Sequence, residues 1–429
     1  MVSLTNDERA MLDGRDGPAV AKAMDLLVRY AEALGAEDFV YTDNVAGVPG
    51  SSPQWVKDYY AEDGGDYRAV FSRFDLDSDE AVDVPRMNAF SCHLQGGMDP
   101  EMWRDQGMSE EAFANFRSDE AEVAGHGIQV MKTCTPYLAG NVPVMGEHCA
   151  WMESSAVVFC NSVIGGRTNC EGRESTSAAM LAKRIPNWGF HTDEFRIGQH
   201  AIEVEVPVDS IFEWGMLGYY TGGAVEDAIP VLDGKIGEAS LIKHKHFGAA
   251  AASSGGVEMY HMVGITPEAR SREVAFGGPD KGTRFTYGLR ERAAIYERLN
   301  SIGESDTVDY VMLGCPHYSA DQIATAARML EGRTVHANSE LWIFTSRAVK
   351  ATAVASGYAE ILRKAGAKLM TDTCSAISQA VPKGTRVAAF DSAKQTHYLP
   401  AMMGIEGWFG TTQECIDAAC TGKWQGRLN

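Results

Sequence analysis

Hydrophobic and polar positions alternate most regularly in the last third of the chain. The apolar run 310–314 predicts a strand, 319–330 a helix, 341–345 a second strand, 349–365 a helix and 367–371 a third strand, followed by a further apolar run at 387–390. Strands alternating with helices of this length imply β-α-β units and a parallel sheet. At the other end of the chain, Thr5-Asn6-Asp7-Glu8 reads as a capping box that starts a short helix, and Gly14-Arg15-Asp16-Gly17 breaks it. Pro18 then opens a second helix in which Val20, Met24, Leu27, Val28, Ala31 and Leu34 share one face, ending at Gly35. The run 39–42 predicts a short strand, and 43–53 a loop.

Between these ends the pattern is less regular. Residues 54–125 mix aromatics (Trp55, Tyr59, Tyr60, Phe71, Phe74) with an acidic run at 75–80, read as solvated surface, and a polar helix near 110–123. Residues 128–132 predict a short strand, 154–163 and 174–183 helices. Residues 201–206 alternate with period two, as a half-exposed strand does. Tyr219-Tyr220-Thr221-Gly222-Gly223 and Ser253-Ser254-Gly255-Gly256 read as glycine turns, and Lys243-His244-Lys245-His246 as one face of an exposed strand. No G-x-G-x-x-G or Walker-type pattern is present, so nothing points to a nucleotide site.

Composition narrows the functional class. The 429 residues carry a formal net charge of -20, which argues against nucleic acid or an anionic membrane as partner, since phosphate binding needs a dense basic surface. No stretch approaches the roughly 20 apolar residues of a membrane span. The N-terminal MVSLTNDERAMLDG lacks a basic and then apolar leader, so the expected location is cytoplasmic. In a reducing compartment nine cysteines are not a disulfide framework. With no C-x-x-C pair among them, a metal site has to be assembled from cysteines distant in sequence. Cys92-His93 is an adjacent pair whose side chains diverge, and is read as structural.

Two regions hold the candidate chemistry. In an open parallel sheet, ligands bind outside the carboxyl ends of the strands. There the chain places Cys315-Pro316-His317, Thr345-Ser346-Arg347, Asp372-Thr373-Cys374 and Asp391-Ser392-Ala393-Lys394. Cys315 and Cys374 at equivalent strand ends can lie within ligand distance of each other, whereas Cys415 and Cys420 belong to a helix and are assigned to the core. The second region is 131–172, where Cys134, Cys149, Cys160 and Cys170 are interleaved with Glu153, Asn161, Arg167, Asn169 and Glu171 around an apolar run at 156–160. The ordinary reading of such cysteines is a small buried hydrophobe. The polar residues suggest the wall of a site.

The ordered motifs T-C-x-P-Y (133–137), A-W-x-E-S-S-A-V (150–157), N-S-V-I-G-G-R-T-N (161–169), G-C-P-H (314–317), D-T-C (372–374) and S-A-K (392–394) resemble the large subunit of the aconitase X family. This branch of the aconitase superfamily includes cis-3-hydroxy-L-proline dehydratases and mevalonate 5-phosphate dehydratases. The resemblance covers nearly the whole chain. It implies an α/β fold, an aconitase-like large subunit of several α/β/α subdomains with parallel sheets around a central cluster cleft. The expected divisions are an N-terminal α/β region 1–125, a central α/β domain 126–300 with the substrate-facing wall, and a C-terminal parallel α/β domain 301–429.

The resemblance further implies an iron-sulfur cluster held by Cys134, Cys315 and Cys374. Three ligands leave an iron with an open position, able to act as a Lewis acid on a hydroxyl or carboxylate. Around it the resemblance places Glu153, Ser154 and Lys394 as catalytic residues and Asn161, Arg167, Thr168, Asn169, Glu171 and Ser392 as substrate-binding. Arg167 or Lys394 would pair with the substrate carboxylate. Family members often carry Asn-Arg-Glu-Gly where this chain has Asn169-Cys170-Glu171-Gly172. One arginine fewer favours cis-3-hydroxy-L-proline over the dianionic mevalonate 5-phosphate. Residues 421–429 follow the Cys415 helix directly, so the small swivelling domain that supplies the base in this superfamily is expected on a separate small subunit. The competing readings are a non-catalytic binding protein with buried reduced cysteines and a mononuclear iron or zinc site at the same three positions.

Overall fold

The computed structural model describes residues 2–47, 87, 89–91, 97–301 and 305–428. The aromatic and acidic stretch from Trp55 to Glu80, and the pair Cys92-His93, lie outside the described residues. Helix Asn6–Leu12 opens on the expected capping box, with Glu8 N–H donating to Thr5 Oγ1 and Thr5 N–H to Glu8 Oε2. Helix Pro18–Leu34 buries Val20, Met24, Leu27 and Ala31, closes at Gly35, and packs on helix Arg173–Ala182.

Among the described residues three sheets are parallel throughout. In the first, Asn44–Gly47 lies between Ala89–Ser91 and Cys149–Trp151, with Ile128–Gln129 beyond Ala89–Ser91. This sheet takes strands from both sides of residue 125, and it corrects the expected loop at 43–53, which begins as a buried strand. The second has the order Arg284–Tyr287, His200–Val208, Pro230–Ile236, His261–Met262. The third has the order Ala367–Thr371, Glu340–Thr345, Tyr310–Tyr318, Val387–Phe390, Glu406–Phe409. An antiparallel pair, Phe39–Tyr41 with Arg184–Pro186, stands apart.

The third sheet is where the strand-helix rhythm predicted it. Tyr310–Tyr318 is buried at every position, as a central parallel strand covered on both faces must be. Period two then sorts its neighbours. Val311, Leu313, Leu341, Ile343 and Leu369 join one core with helix Ala320–Leu330. Tyr310, Met312, Trp342, Phe344 and Met370 join another that contains Cys315 and Cys374. The helix expected at 349–365 is two helices, Arg347–Ala355 and Tyr358–Ala365, because Gly357 enters the left-handed region.

The middle of the chain departs from expectation twice. Tyr219 to Gly223 is not a turn but part of helix Ile211–Val225, and its glycines serve packing: a Cβ at Gly218 or Gly222 would collide with the carbonyl oxygen of Phe247 or Ala251. Their absence lets this helix lie directly on helix Leu241–Ser254. The second departure is Lys243 to His246, which is not an exposed strand but the first turns of that helix, with His244, Lys245 and His246 all buried. Helix Leu241–Ser254 also touches Ser154–Phe159, Ala393–Met403 and Tyr310–Tyr318, so it stands at the junction of the three sheets. No helix among the described residues is long and apolar enough to cross a membrane.

Candidate functional site

The site begins with an interruption in the central strand of the third sheet. Leu313 pairs with Ile343, but the next partner of Glu340–Thr345 is Tyr318, paired with Thr345. The extra residues bulge out of the ladder, and such a bulge re-aims a side chain. Gly314 makes it possible: its φ is 96°, and a Cβ there would strike the Phe344 carbonyl oxygen. The bulge carries Cys315 off the sheet edge, with a cis bond to Pro316.

Cys374 reaches the same place from beyond the end of Ala367–Thr371, two strands away in the sheet, as the residue preceding the short helix Ser375–Ser378. Cys134 comes from the loop after Ile128–Gln129. The three thiols open on one cleft of about 320 Å³, together with Met152, Glu153, Ser154, Lys394, Tyr398 and Met402. Cys134 Sγ accepts from the His317 backbone N–H at 3.3 Å. The Ser392 side chain favours the thiolate form of Cys315, and the backbone N–H groups of Ile377 and Ala376 that of Cys374.

Burial raises all three thiols above the ordinary cysteine range, Cys134 well above it and Cys315 to about 12, and the donors and Lys394 pull in the opposite direction. A metal-free site therefore holds neutral thiols, and metal binding must displace protons. Lys394 itself is partly buried, its side chain 17% exposed. Desolvation works against its charge, but the Glu153 carboxylate outweighs it and holds the ammonium above the usual lysine range. Its Nζ lies 2.9 Å from Glu153 Oε1 and 3.4 Å from Ser154 Oγ, and Ser155 Oγ donates to the same Glu153 oxygen at 3.0 Å.

This donor set fits a thiolate-held cluster. It offers buried cysteines with donors to sulfur, which tune such clusters, and an ammonium to offset anionic charge. Among the described residues no three His, Cys, Asp or Glu side chains converge closely enough for a single metal ion.

Of the sequence-predicted residues, Cys134, Cys315, Cys374, Glu153, Ser154 and Lys394 line the cleft. Ser392 sits behind Cys315 and caps helix Ala393–Met403. The rest of the expected wall stands outside this lining and is bonded to other groups of the protein, mostly backbone carbonyls. Asn161 Nδ2 donates to Thr168 O and Glu258 O, Thr168 Oγ1 to Asn169 O, and Asn169 Nδ2 to Trp188 O. Arg167 donates to His191 O and pairs with Asp193. Glu171 accepts from Tyr30 OH at 3.4 Å. Cys170 donates to the carbonyl of Met152, a cleft residue, and its N–H binds Glu258.

Sequence reasoning missed Lys245. Its Nζ donates to Pro316 O at 3.2 Å, His317 O at 2.8 Å and Gln322 Oε1. The alternating Lys-His-Lys-His was the available signal. On a helix its alternate residues do not share a face, and the small residues that follow, Gly248 to Ala252, mark the helix as packed.

The same helix gives an acid-sensitive core. Burial holds His244 at about 4 and His246 well below its ordinary value, and burial beside His148, Arg196 and Arg167 holds His191 at about 3. These depressed folded values mean that the unfolded chain takes up protons first. Stability is complete above pH ~6.5 and is lost as pH falls towards 4, each such histidine costing about 2 kcal/mol by pH 5. The melting temperature should drop steeply between pH 7 and 5, and a flat profile over that range would contradict the assignment.

Comparison with known proteins follows the same boundaries as the sheets. Family models described as Aconitase X first domain, second domain and third domain match residues 1–194, 198–297 and 308–421. The phosphomevalonate dehydratase large subunit of Methanocaldococcus jannaschii is 34% identical over 96% of this chain and 99% of its own length. The cis-3-hydroxy-L-proline dehydratase of Pseudomonas aeruginosa is also 34% identical, over 97% of this chain and 70% of that protein. Among solved structures, the holo-form of Thermococcus kodakaraensis aconitase X superposes with a TM-score of 0.79 at 27% identity, covering 97% of this chain and 100% of that one.

Proposed function

This chain belongs to the aconitase X family and is a dehydratase large subunit of that type, and from that premise we propose that it dehydrates cis-3-hydroxy-L-proline in complex with a small subunit. The observation that carries the reading is the single cleft on which Cys134, Cys315, Cys374 and the Lys394–Glu153 pair all open. Those three cysteines would hold an iron-sulfur cluster, which when bound supplies a Lewis acid for the departing hydroxyl. The chain's own residues do the rest on this side of the substrate. Lys394 presents a partly buried cation to the substrate carboxylate, and Glu153 keeps it charged and fixes its position. Ser154 Oγ, within reach of the same ammonium, orients the substrate beside it. Met152, Ile377 and Met402 make the wall apolar and exclude water. The base that removes the C–H proton is assigned to the small subunit. Support for that subunit comes from relatives named as large subunits.

The preference for the amino acid rests on position 170, where family members often carry arginine and this chain has Cys170. One cation fewer leaves a phosphate dianion less well held. The test is to purify the chain anaerobically with its small subunit and assay both compounds. Turnover of cis-3-hydroxy-L-proline, with little on mevalonate 5-phosphate, is expected. The reverse preference would overturn the substrate, and a preparation without iron and sulfide would overturn the cluster.

A further inference from the structure

His317 is fully buried and is not part of the cleft lining, yet every polar group it has is engaged next to a candidate ligand. Its backbone N–H donates to Cys134 Sγ at 3.3 Å. Its Nε2 lies 2.9 Å from Thr373 O, the carbonyl preceding Cys374. A carbonyl only accepts, so Nε2 carries the proton. In the neutral ring Nδ1 is then an acceptor, and it receives the hydroxyl of Thr133, the residue preceding Cys134, at 2.9 Å. Its own carbonyl is held by the Lys245 ammonium at 2.8 Å, which also binds Pro316 O at 3.2 Å. One residue, two positions after Cys315, therefore ties together the three loops that carry the cysteines, and a buried lysine from the second sheet's helix anchors it.

We propose that His317, anchored by Lys245, is a positioning residue that sets the mutual placement of Cys134, Cys315 and Cys374 before any metal arrives. The proposal rests on reading those cysteines as the ligand set, and it explains how ligands from separate loops form one site without ordering them at the moment of binding. The two half-mimics of histidine divide the role. In His317→Asn the amide oxygen takes the place of Nδ1 and keeps the Thr133 contact. In His317→Gln the amide nitrogen takes the place of Nε2 and keeps the Thr373 contact.

The test uses the full metal-free chain and dibromobimane, which bridges neighbouring thiols, with mass spectrometry to locate the bridged peptides. Wild type is expected to give bridges among Cys134, Cys315 and Cys374, and His317→Ala and Lys245→Met to lose at least fivefold of them. His317→Asn should preserve bridges to Cys134 over those to Cys374, and His317→Gln the reverse. That split is a readout that general destabilisation would not produce. Wild-type bridging in His317→Ala overturns the proposal. If that variant does not fold, indistinguishable wild-type patterns in the Asn and Gln variants overturn it instead. Iron and sulfide analysis of reconstituted wild type separates the two ideas: a chain that takes up neither, while its bridges still depend on His317, refutes the cluster reading and leaves the positioning role standing.

Discussion

Replacing Cys134, Cys315 or Cys374 by serine, one at a time, is expected to strip the anaerobically purified chain of its visible absorption and to lower the activity of the reconstituted complex at least ~1,000-fold. The fold should survive. Each thiol borders the cleft, although Cys315 and Cys374 also pack in a core, and serine is close in volume, so the metal-free melting temperature should move by only a few degrees. Cys420→Ser is the control: this half-buried helical thiol stands away from the cleft, and its loss should leave both colour and activity intact. A brown, active Cys315→Ser protein would end the three-ligand assignment.

The second large effect concerns the buried ion pair. Lys394→Met should lower kcat/KM about 100- to 10,000-fold, because it removes the cleft-lining cation and the partner proposed for the substrate carboxylate. It should also destabilise the chain by about 3–5 kcal/mol, since the buried Glu153 carboxylate loses its lysine partner. The two losses can be separated. In the double variant Glu153→Gln/Lys394→Met no charge is left unpaired, so most of the stability should return while activity does not. If the double variant regains activity together with stability, the pair is only structural. Measurement needs the melting temperature of the metal-free chain and steady-state kinetics of the complex.

How much of this was legible varies by region, for physical reasons. The third sheet could be read residue by residue, because fully buried parallel strands leave continuous apolar runs and their helices leave capping residues. Ser319, Ser346 and Thr411 each accept from the backbone three positions on, as such residues do. The strand ends then put Cys315, Cys374 and Lys394 at one edge by geometry alone. Cys134 came only from the resemblance, because nothing local distinguishes it from Cys149 or Cys160, both buried core thiols.

The region 161–171 shows the opposite limit. Asn161, Thr168 and Asn169 have the composition of a binding wall, yet they bond to carbonyls of their own neighbourhood. A side chain's polarity says that it needs partners when buried. It does not say whether those partners are a ligand or the backbone. Lys245 failed in the other direction: its charge suggested surface, but the bulge at Cys315 turns carbonyls inward that only a buried donor can satisfy.

The sequence by itself determined the parallel third sheet, the cysteines at its strand ends, the opening helical hairpin and, through its ordered motifs, the family. Only the tertiary structure decided which polar residues face the cleft, that Lys394 is paired with Glu153, and that His317 and Lys245 bind the cysteine loops together. Periodicity and capping are local, set within a few residues by backbone geometry. The site is made of contacts between segments 71 to 241 positions apart, and their partners are fixed only when the three sheets are packed.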